Sequence, residues 1–232
     1  MPEIAIVLVQ PLYPGNVGFT ARAMKNFGFE DLVLVDPCEL GDEAYTCASH
    51  AGDVLDSARV RTLAEVRAES HLLVATTGEV PKSVCTTVRI PYYAPAEIRE
   101  QVQKIDGRVS ILFGRENWGL NNGEVALCDL VCTIPSSHDY PILNLSHAVA
   151  ILCYELAGLH RGTYALASAE EMASLYAHID QFLDRIDHPD FKRENTMTMA
   201  RRILGRTQLT TREASTIHGL LRRAEWHMNN KE

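Results

Sequence analysis

Along the first 135 residues short apolar runs alternate with longer amphipathic stretches. The runs occupy positions 4–9 (Ile-Ala-Ile-Val-Leu-Val), 32–35 (Leu-Val-Leu-Val), 72–75 (Leu-Leu-Val-Ala), 109–113 (Val-Ser-Ile-Leu-Phe) and 130–134 (Leu-Val-Cys-Thr-Ile). They lack the apolar/polar alternation of a strand with one face in water, so they predict strands covered on both faces. The helical spacing between them supplies the crossovers of a parallel sheet. The fold class is therefore α/β, with five or six parallel strands.

Beyond Asn144 the period changes to that of a helix. Leu145, Ala148, Val149, Leu152 and Leu156 recur at three and four, which predicts a helix over 144–160 lying on the sheet. A small and polar link, 161–167, leads to Ser168-Ala-Glu-Glu171, the order of a capping box. Behind it Met172, Leu175, Tyr176, Ile179, Phe182, Leu183 and Ile186 keep helical spacing, and His188-Pro189 is predicted to end that helix. Two more helices are predicted, over 194–204 and 211–229. The second opens on Thr210-Thr-Arg-Glu213 and carries Ala214, Ile217, Leu220 or Leu221, Ala224 and Met228 on its apolar line. The division is an α/β domain at 1–160 and a helical extension at 168–232.

With 232 residues, 46% hydrophobic and 22% charged, the composition excludes a disordered or collagen-like chain. The balance of 22 Lys and Arg against 30 Asp and Glu, −8, argues against a polyanion binder when taken whole. Its distribution says otherwise. Residues 1–160 hold 11 basic and 20 acidic side chains, 161–191 hold 2 and 6, and 192–231 hold 9 and 3. Such asymmetry points to contact with nucleic acid or membrane. No apolar run reaches 18 residues and no leader pattern is found, so a cytosolic protein without membrane contact is expected. Cys38, Cys47, Cys85, Cys128, Cys132 and Cys153 form no C-x-x-C pair and no zinc set, so buried reduced thiols and no metal are expected.

Three stretches fall where the predicted strands end, the place where open α/β sheets bind ligands. The first, Gly15-Asn-Val-Gly-Phe-Thr-Ala-Arg22, runs from a loop into a helix that Asn16 is expected to cap. It lacks both the dinucleotide and the P-loop glycine spacing. The second, Leu112-Phe-Gly-Arg-Glu-Asn-Trp-Gly-Leu120, places Gly114 where backbone can approach a ligand closely. Arg115 and Glu116 beside it read as site residues rather than a surface ion pair, because they end an apolar strand. The third runs from Ile134-Pro135 through Tyr140-Pro141 to Ile142-Leu-Asn-Leu-Ser-His147, where exposed N–H groups open a helix.

Together these stretches resemble the SPOUT superfamily of methyltransferases, in particular the TrmH/TrmJ branch that methylates ribose 2′-hydroxyls of RNA. The family's Asn-x-Gly with Ala-Arg matches Asn16-Val-Gly18 and Ala21-Arg22. Its Phe-Gly-x-Glu-x-x-Gly-Leu matches Phe113 to Leu120, and its Ile-Pro with Leu-Asn-x-Ser matches Ile134-Pro135 and Leu143 to Ser146. The resemblance covers residues 1 to about 160 and implies a deep trefoil knot in the C-terminal part of the sheet. It implies S-adenosylmethionine held mostly by backbone of Thr76, Thr77, Gly78, Leu112, Gly114, Ile134, Pro141, Ile142 and Leu143. Many relatives carry Ser or another small polar residue just before the Leu-Asn of the third motif, where this chain has Pro141-Ile142, which removes any side-chain hydroxyl contact at 142. The implied catalytic set is Arg22, Glu116, Asn144 and Ser146, with Glu116 fixing its own turn and Asn144 the third.

A homodimer is implied as well, Arg22 of one subunit approaching the other's cofactor. The extension suits members that methylate nucleotide 32 in the tRNA anticodon loop. RNA contacts are then expected from Arg22, Arg115, Arg201, Arg202, Arg206, Arg222 and Arg223. For Trp226 packing is favoured over base stacking. The rival readings are ribosomal RNA as substrate, base rather than ribose methylation, and a non-catalytic RNA-binding protein of the same fold.

Overall fold

The computed structural model describes residues 2–78, 87–137, 139–158 and 166–230. Residues 159 and 160 of the helix expected over 144–160, most of the 161–167 link, Cys85 and Lys231 lie outside them. The chain runs β1 (Glu3–Val9), α1 (Pro14–Asn26), β2 (Leu32–Val35), α2 (Gly41–Ala48), α3 (Gly52–Asp56), β3 (Arg59–Val60), α4 (Leu63–Glu69) and β4 (Leu72–Thr77). It continues through α5 (Pro95–Val102), β5 (Arg108–Phe113), α6 (Asn122–Ala126), β6 (Leu130–Thr133), α7 (Leu145–Leu156), α8 (Ala169–Arg185), α9 (Asp190–Thr207) and α10 (Thr211–Asn229).

The six strands form one parallel sheet in the order β3-β2-β1-β5-β4-β6. Its register places Leu112 of β5 beside both Val7 of β1 and Ala75 of β4. The strand period of two sends Ile4, Ile6 and Leu8 to one face, against Val17, Ala21 and Met24 of α1 and Val149 and Leu152 of α7. Ala5, Val7 and Val9 face the other way, onto Val66 and Val125. Both faces are thus dry, which is why the runs read as continuous, and each buried Val, Leu or Ile contributes about 1.5–3 kcal/mol.

The sixth strand, β3, has no apolar run to announce it: it is two residues at the sheet edge. Arg59 pairs there with Asp31 at 2.8 Å and Glu69 at 3.4 Å, charges that discourage further strand pairing. At the other edge Tyr93 covers β6, donating its N–H to Val131 and accepting from Thr133.

Both predicted capping boxes form: Ser168 N donates to Glu171 at 2.7 Å, and Thr210 N to Glu213 at 2.7 Å. Several boundaries differ from expectation: α7 ends at Leu156, its C-cap Ala157 already extended, short of 160, and α9 runs on to Thr207, past 204. α8 ends at Arg185, ahead of His188-Pro189, and Pro189 sits at the N-cap of α9, which begins at Asp190 instead of 194. The added turn has no apolar period; Arg193 secures it by ion pairs with Asp180 (2.9 Å) and Asp184. Helices α8–α10 share a core of Met172, Leu175, Tyr176, Leu209 and Ala214 with Ile179, Met197, Leu204, Ile217 and Leu221. Of the two leucines on the α10 line it is Leu221 that packs, while Leu220 and Met228 are exposed.

This core rests on the sheet at the start of β6. Tyr176 Oη reaches Asp129 at 3.4 Å, Asp129 pairs with Arg67 at 2.6 Å, and Gln208 Nε2 donates to the carbonyl of Gln101 at 2.6 Å. At Gly205 a Cβ would lie 2.3 Å from Cβ of Asp129, so α9 approaches as closely as only glycine allows.

Cys128, Cys132 and Cys153 are buried free thiols, while Cys38 and Cys47 are free but only half-buried. Burial pushes Cys132 and Cys153 up to about 12, which keeps them protonated. Among the described residues no helix is long and apolar enough to cross a membrane, and no three His, Cys, Asp or Glu side chains converge as metal ligands would.

Candidate active site

Four adjacent strands, β1, β5, β4 and β6, end on the same side of the sheet, and their carboxyl ends carry the three motifs. Tyr13, at the N-cap of α1, makes no side-chain cap. Glu116 takes over that task from the loop after β5. Its carboxylate accepts from Leu12 N at 2.9 Å, Tyr13 N at 3.3 Å and Asn16 Nδ2 at 3.0 Å, where a helix start favours negative charge. Two expectations change. Asn16 lies inside the first turn of α1 and is not its cap, and Glu116 fixes the first motif's helix in place of its own turn.

Asn16 Oδ1 accepts in turn from Asn144 Nδ2 at 3.1 Å. Asn144 caps α7 as expected, its Oδ1 accepting from Ser146 N at 2.9 Å and Ser146 Oγ at 2.8 Å. Glu116, Asn16, Asn144 and Ser146 thus form one hydrogen-bonded chain joining all three motifs. Each bond to the charged carboxylate is worth about 1.5–3 kcal/mol.

The loops enclose one cavity. Thr76, Thr77, Gly78, Gly114, Ile134, Pro141, Ile142 and Leu143 all line it. Leu112 does not: its side chain is fully buried in the sheet, and its carbonyl accepts from Thr76 Oγ1 at 2.8 Å. Sequence reasoning missed Arg89, which also borders the cavity and donates to Thr77 Oγ1 at 2.6 Å and to the carbonyl of Leu120 at 3.0 Å. No motif holds Arg89, so its position was invisible along the chain. At Gly114 backbone approaches too closely for any side chain, whereas at Gly78 the near neighbour is the end of a side chain. A Cβ on Gly114 would lie 2.1 Å from the Gly119 carbonyl carbon, and one on Gly78 2.8 Å from Cδ1 of Ile142.

Arg115, expected to contact RNA, is already committed. It donates to Glu124 at 2.8 and 3.0 Å and to Gln10 Oε1 at 2.6 Å, and Glu124 holds its pKa above the ordinary arginine value. Gln10, just after β1, reaches it from a left-handed backbone at φ 48°, a conformation uncommon outside glycine. Arg22 differs. It is exposed on α1, lies outside the cavity lining, and has no hydrogen bond or ion pair among the described residues.

The expected RNA contacts of the extension also separate. Arg201 stacks over the ring of Tyr176 at 4.7 Å, and Arg206 is half-buried. Arg202 is 1% exposed, which removes it from the candidates for phosphate contact. Arg222 and Arg223 are exposed and unpaired among the described residues. Trp226 is 60% exposed, so the packing expected of it does not occur.

The sequence profile of the SpoU rRNA Methylase family matches residues 3–154, a span holding the whole sheet and all three motifs. The chain belongs to this family. Among its relatives, the tRNA (cytidine-2′-O-)-methyltransferase TrmJ of Methanocaldococcus jannaschii is 36% identical over 223 residues, covering 92% of this chain and 96% of that one. The tRNA (cytidine/uridine/adenosine-2′-O-)-methyltransferase TrmJ of Pseudomonas aeruginosa is 33% identical, covering 95% and 93%. The crystal structure of TrmJ from Z. mobilis ZM4 superposes with a TM-score of 0.79 at 32% identity, over 97% of this chain and 99% of that one. Likeness to these relatives therefore continues past residue 154 into the C-terminal helices.

Proposed function

We propose that this SpoU-family protein methylates a ribose 2′-hydroxyl of tRNA, at nucleotide 32 of the anticodon loop, with S-adenosylmethionine as the methyl donor. The observation that carries the reading is the hydrogen-bonded chain from Glu116 through Asn16 to Asn144 and Ser146. It fixes three loops around one cavity, in a protein similar to TrmJ over more than nine-tenths of its length.

The cavity fits such a donor. Backbone of Thr76 to Gly78, Gly114 and Pro141 to Leu143 offers hydrogen-bonding edges for an adenine, and Ile134, Ile142 and Leu143 supply apolar cover. Glu116 and the cations Arg89 and Arg115 give the lining charge of both signs, suited to a ligand bearing a sulfonium, an ammonium and a carboxylate. When bound, S-adenosylmethionine supplies an electrophilic methyl carbon. The residues' work is to align the 2′-oxygen with it and to manage the hydroxyl proton. A guanidinium stays protonated at neutral pH, so Arg22 orients the hydroxyl and stabilises developing oxyanion charge, and an RNA phosphate takes the proton.

Arg22 lies outside its own chain's cavity, which supports completion of the site by a second subunit. Phe19 on α1 and Ile151 and Tyr154 on α7 are exposed on neighbouring helices and form an apolar face for a homodimer. The reading carries the trefoil knot of its family, threaded by the segment leading into α7. It also divides the chain into a catalytic domain, 1–160, and an extension, 168–232, that grips RNA through Arg222 and Arg223.

Bulk tRNA and ribosomal RNA incubated with methyl-labelled cofactor decide the substrate. Label is expected in tRNA, as a 2′-O-methyl group at nucleotide 32. Label confined to ribosomal RNA or to bases overturns the assignment, and cofactor binding without transfer identifies a non-catalytic RNA-binding protein. Arg22→Ala is expected to lower transfer about 100-fold or more while cofactor Kd stays within about twofold. Gel filtration at micromolar concentration is expected to show a dimer; a monomer alone rules out the shared site.

A further inference from the structure

Arg202 is among the largest side chains fully enclosed in the protein. Nη2 donates to the carbonyl of Val88 in a short contact and to that of Val125 at 3.2 Å. Nε and Nη1 have no partner among the described residues, and burial pushes the guanidinium's pKa down. Asp129, the nearby carboxylate, is taken by Arg67 and by Leu73 N. An enclosed cation without a bonded carboxylate costs several kcal/mol, and an apolar side chain of similar volume would fasten α9 at least as well. Attachment alone does not account for an arginine here.

Its acceptors do. Val88 lies in the turn Thr87–Arg89, so the carbonyl that Arg202 holds belongs to the residue before Arg89. Arg89 in turn clamps Thr77 and Leu120 at the cavity wall. Val125 follows Glu124 in α6, and Glu124 anchors Arg115, another lining residue. One guanidinium from α9 therefore grips the backbone beside both anchors of the cavity wall. We infer that Arg202 is a positioning residue for the cofactor cavity, coupling the docking of the C-terminal helices to the placement of Arg89. The inference rests on the cavity being the cofactor site.

Calorimetric titration of the full-length protein with S-adenosylmethionine tests it. Arg202→Met is expected to raise Kd about 10-fold, within the range of ordinary coupling between sites. Arg202→Lys keeps the charge but reaches one carbonyl at a time, and an intermediate loss of about threefold is expected. Gln208→Ala frees α9 from α5 without touching Val88 or Val125, and should lower Tm while leaving Kd within about twofold. In an Arg89→Met background, adding Arg202→Met should cost less than about twofold more, because both act through one element. In turnover assays KM for the cofactor should rise with kcat within about twofold.

An unchanged Kd in Arg202→Met overturns the inference, as does full additivity with Arg89→Met or an equal loss in Gln208→Ala at matched Tm. Should Arg202→Met fail to fold, Arg202→Lys decides, a wild-type Kd overturning the coupling. Wild-type binding with unaffected variants sinks the coupling alone; a wild type that binds no cofactor sinks the reading of the cavity with it.

Discussion

Glu116 shows what a residue does that its neighbours in sequence do not reveal. Its type and place at the end of an apolar strand mark it as a site residue, yet its partner Leu12 lies 104 positions away. Local spacing fixes which residues gather at strand ends; it cannot fix which of them bond once β1 and β5 lie side by side. Asn16 and Arg89 were misplaced or missed for that reason. Gly114 is the opposite case, legible because a backbone approach has one cheap solution. A Cβ there meets Gly119 C at 2.1 Å and Leu120 N at 2.2 Å, both backbone atoms of the turn closed by Gly119 N and Arg115 O at 2.8 Å. Gly114→Ala is expected to cost about 1–3 kcal/mol of stability. That lowers Tm by roughly 2–12 °C at this chain length and weakens cofactor binding at least about 10-fold. Gly52→Ala, whose Cβ would sit 3.6 Å from Tyr45, is the neutral control in the same melts and titrations.

Elements were legible where burial is periodic. Five strands and the helices α7, α8 and α10 follow from apolar spacing and capping boxes, whereas β3 and the first turn of α9 are held by ion pairs that leave no period. Packing between helices was not legible, and the contact of α8 with α10 contains a device that only the structure brings together. His178 Nδ1 and His218 Nδ1 lie 2.7 Å apart with their rings stacked, His178 Nε2 is 3.4 Å from Glu225, and Arg185 also reaches Glu225 at 3.4 Å. Charging His218 places a cation against the stacked His178 ring and near Arg222. Burial, then His178 and then Arg222, push the pKa of His218 down. The unfolded chain therefore takes up a proton near pH 6.5 that the folded protein resists, so this contribution is complete above about pH 7 and is lost as pH falls through 6.5. Thermal melts at pH 7.5 and 5.5 should show a drop in Tm on acidification that is clearly smaller in His218→Asn. Equal drops in the two proteins would locate the titrating group elsewhere.

At the scale of the molecule the net charge of −8 conceals a basic C-terminal stretch, and that stretch conceals a further division. Arg193 is spent on Asp180 and Asp184, Arg201 on Tyr176 and Arg202 on the backbone beside the cavity. Among the described residues of that stretch the basic side chains left exposed and without an ion pair are Lys192 at the start of α9, Arg212 at the start of α10, and Arg222 and Arg223, the last two one turn ahead of the exposed Trp226. Counting charges along the chain found the region, and only burial sorts which charges are available. Two cations beside an exposed indole suit an unpaired stretch of RNA, the cations neutralising phosphates and the ring stacking on a base. These contributions separate under salt, because only phosphate neutralisation releases counterions. Measured by fluorescence anisotropy with tRNA, the double variant Arg222→Ala, Arg223→Ala should flatten the slope of log K against log salt by about 1–2. Trp226→Ala should weaken binding about 5- to 100-fold at every salt concentration and leave the slope unchanged. A slope that moves with Trp226, or that ignores the arginines, would mean that RNA is held by another face of the protein.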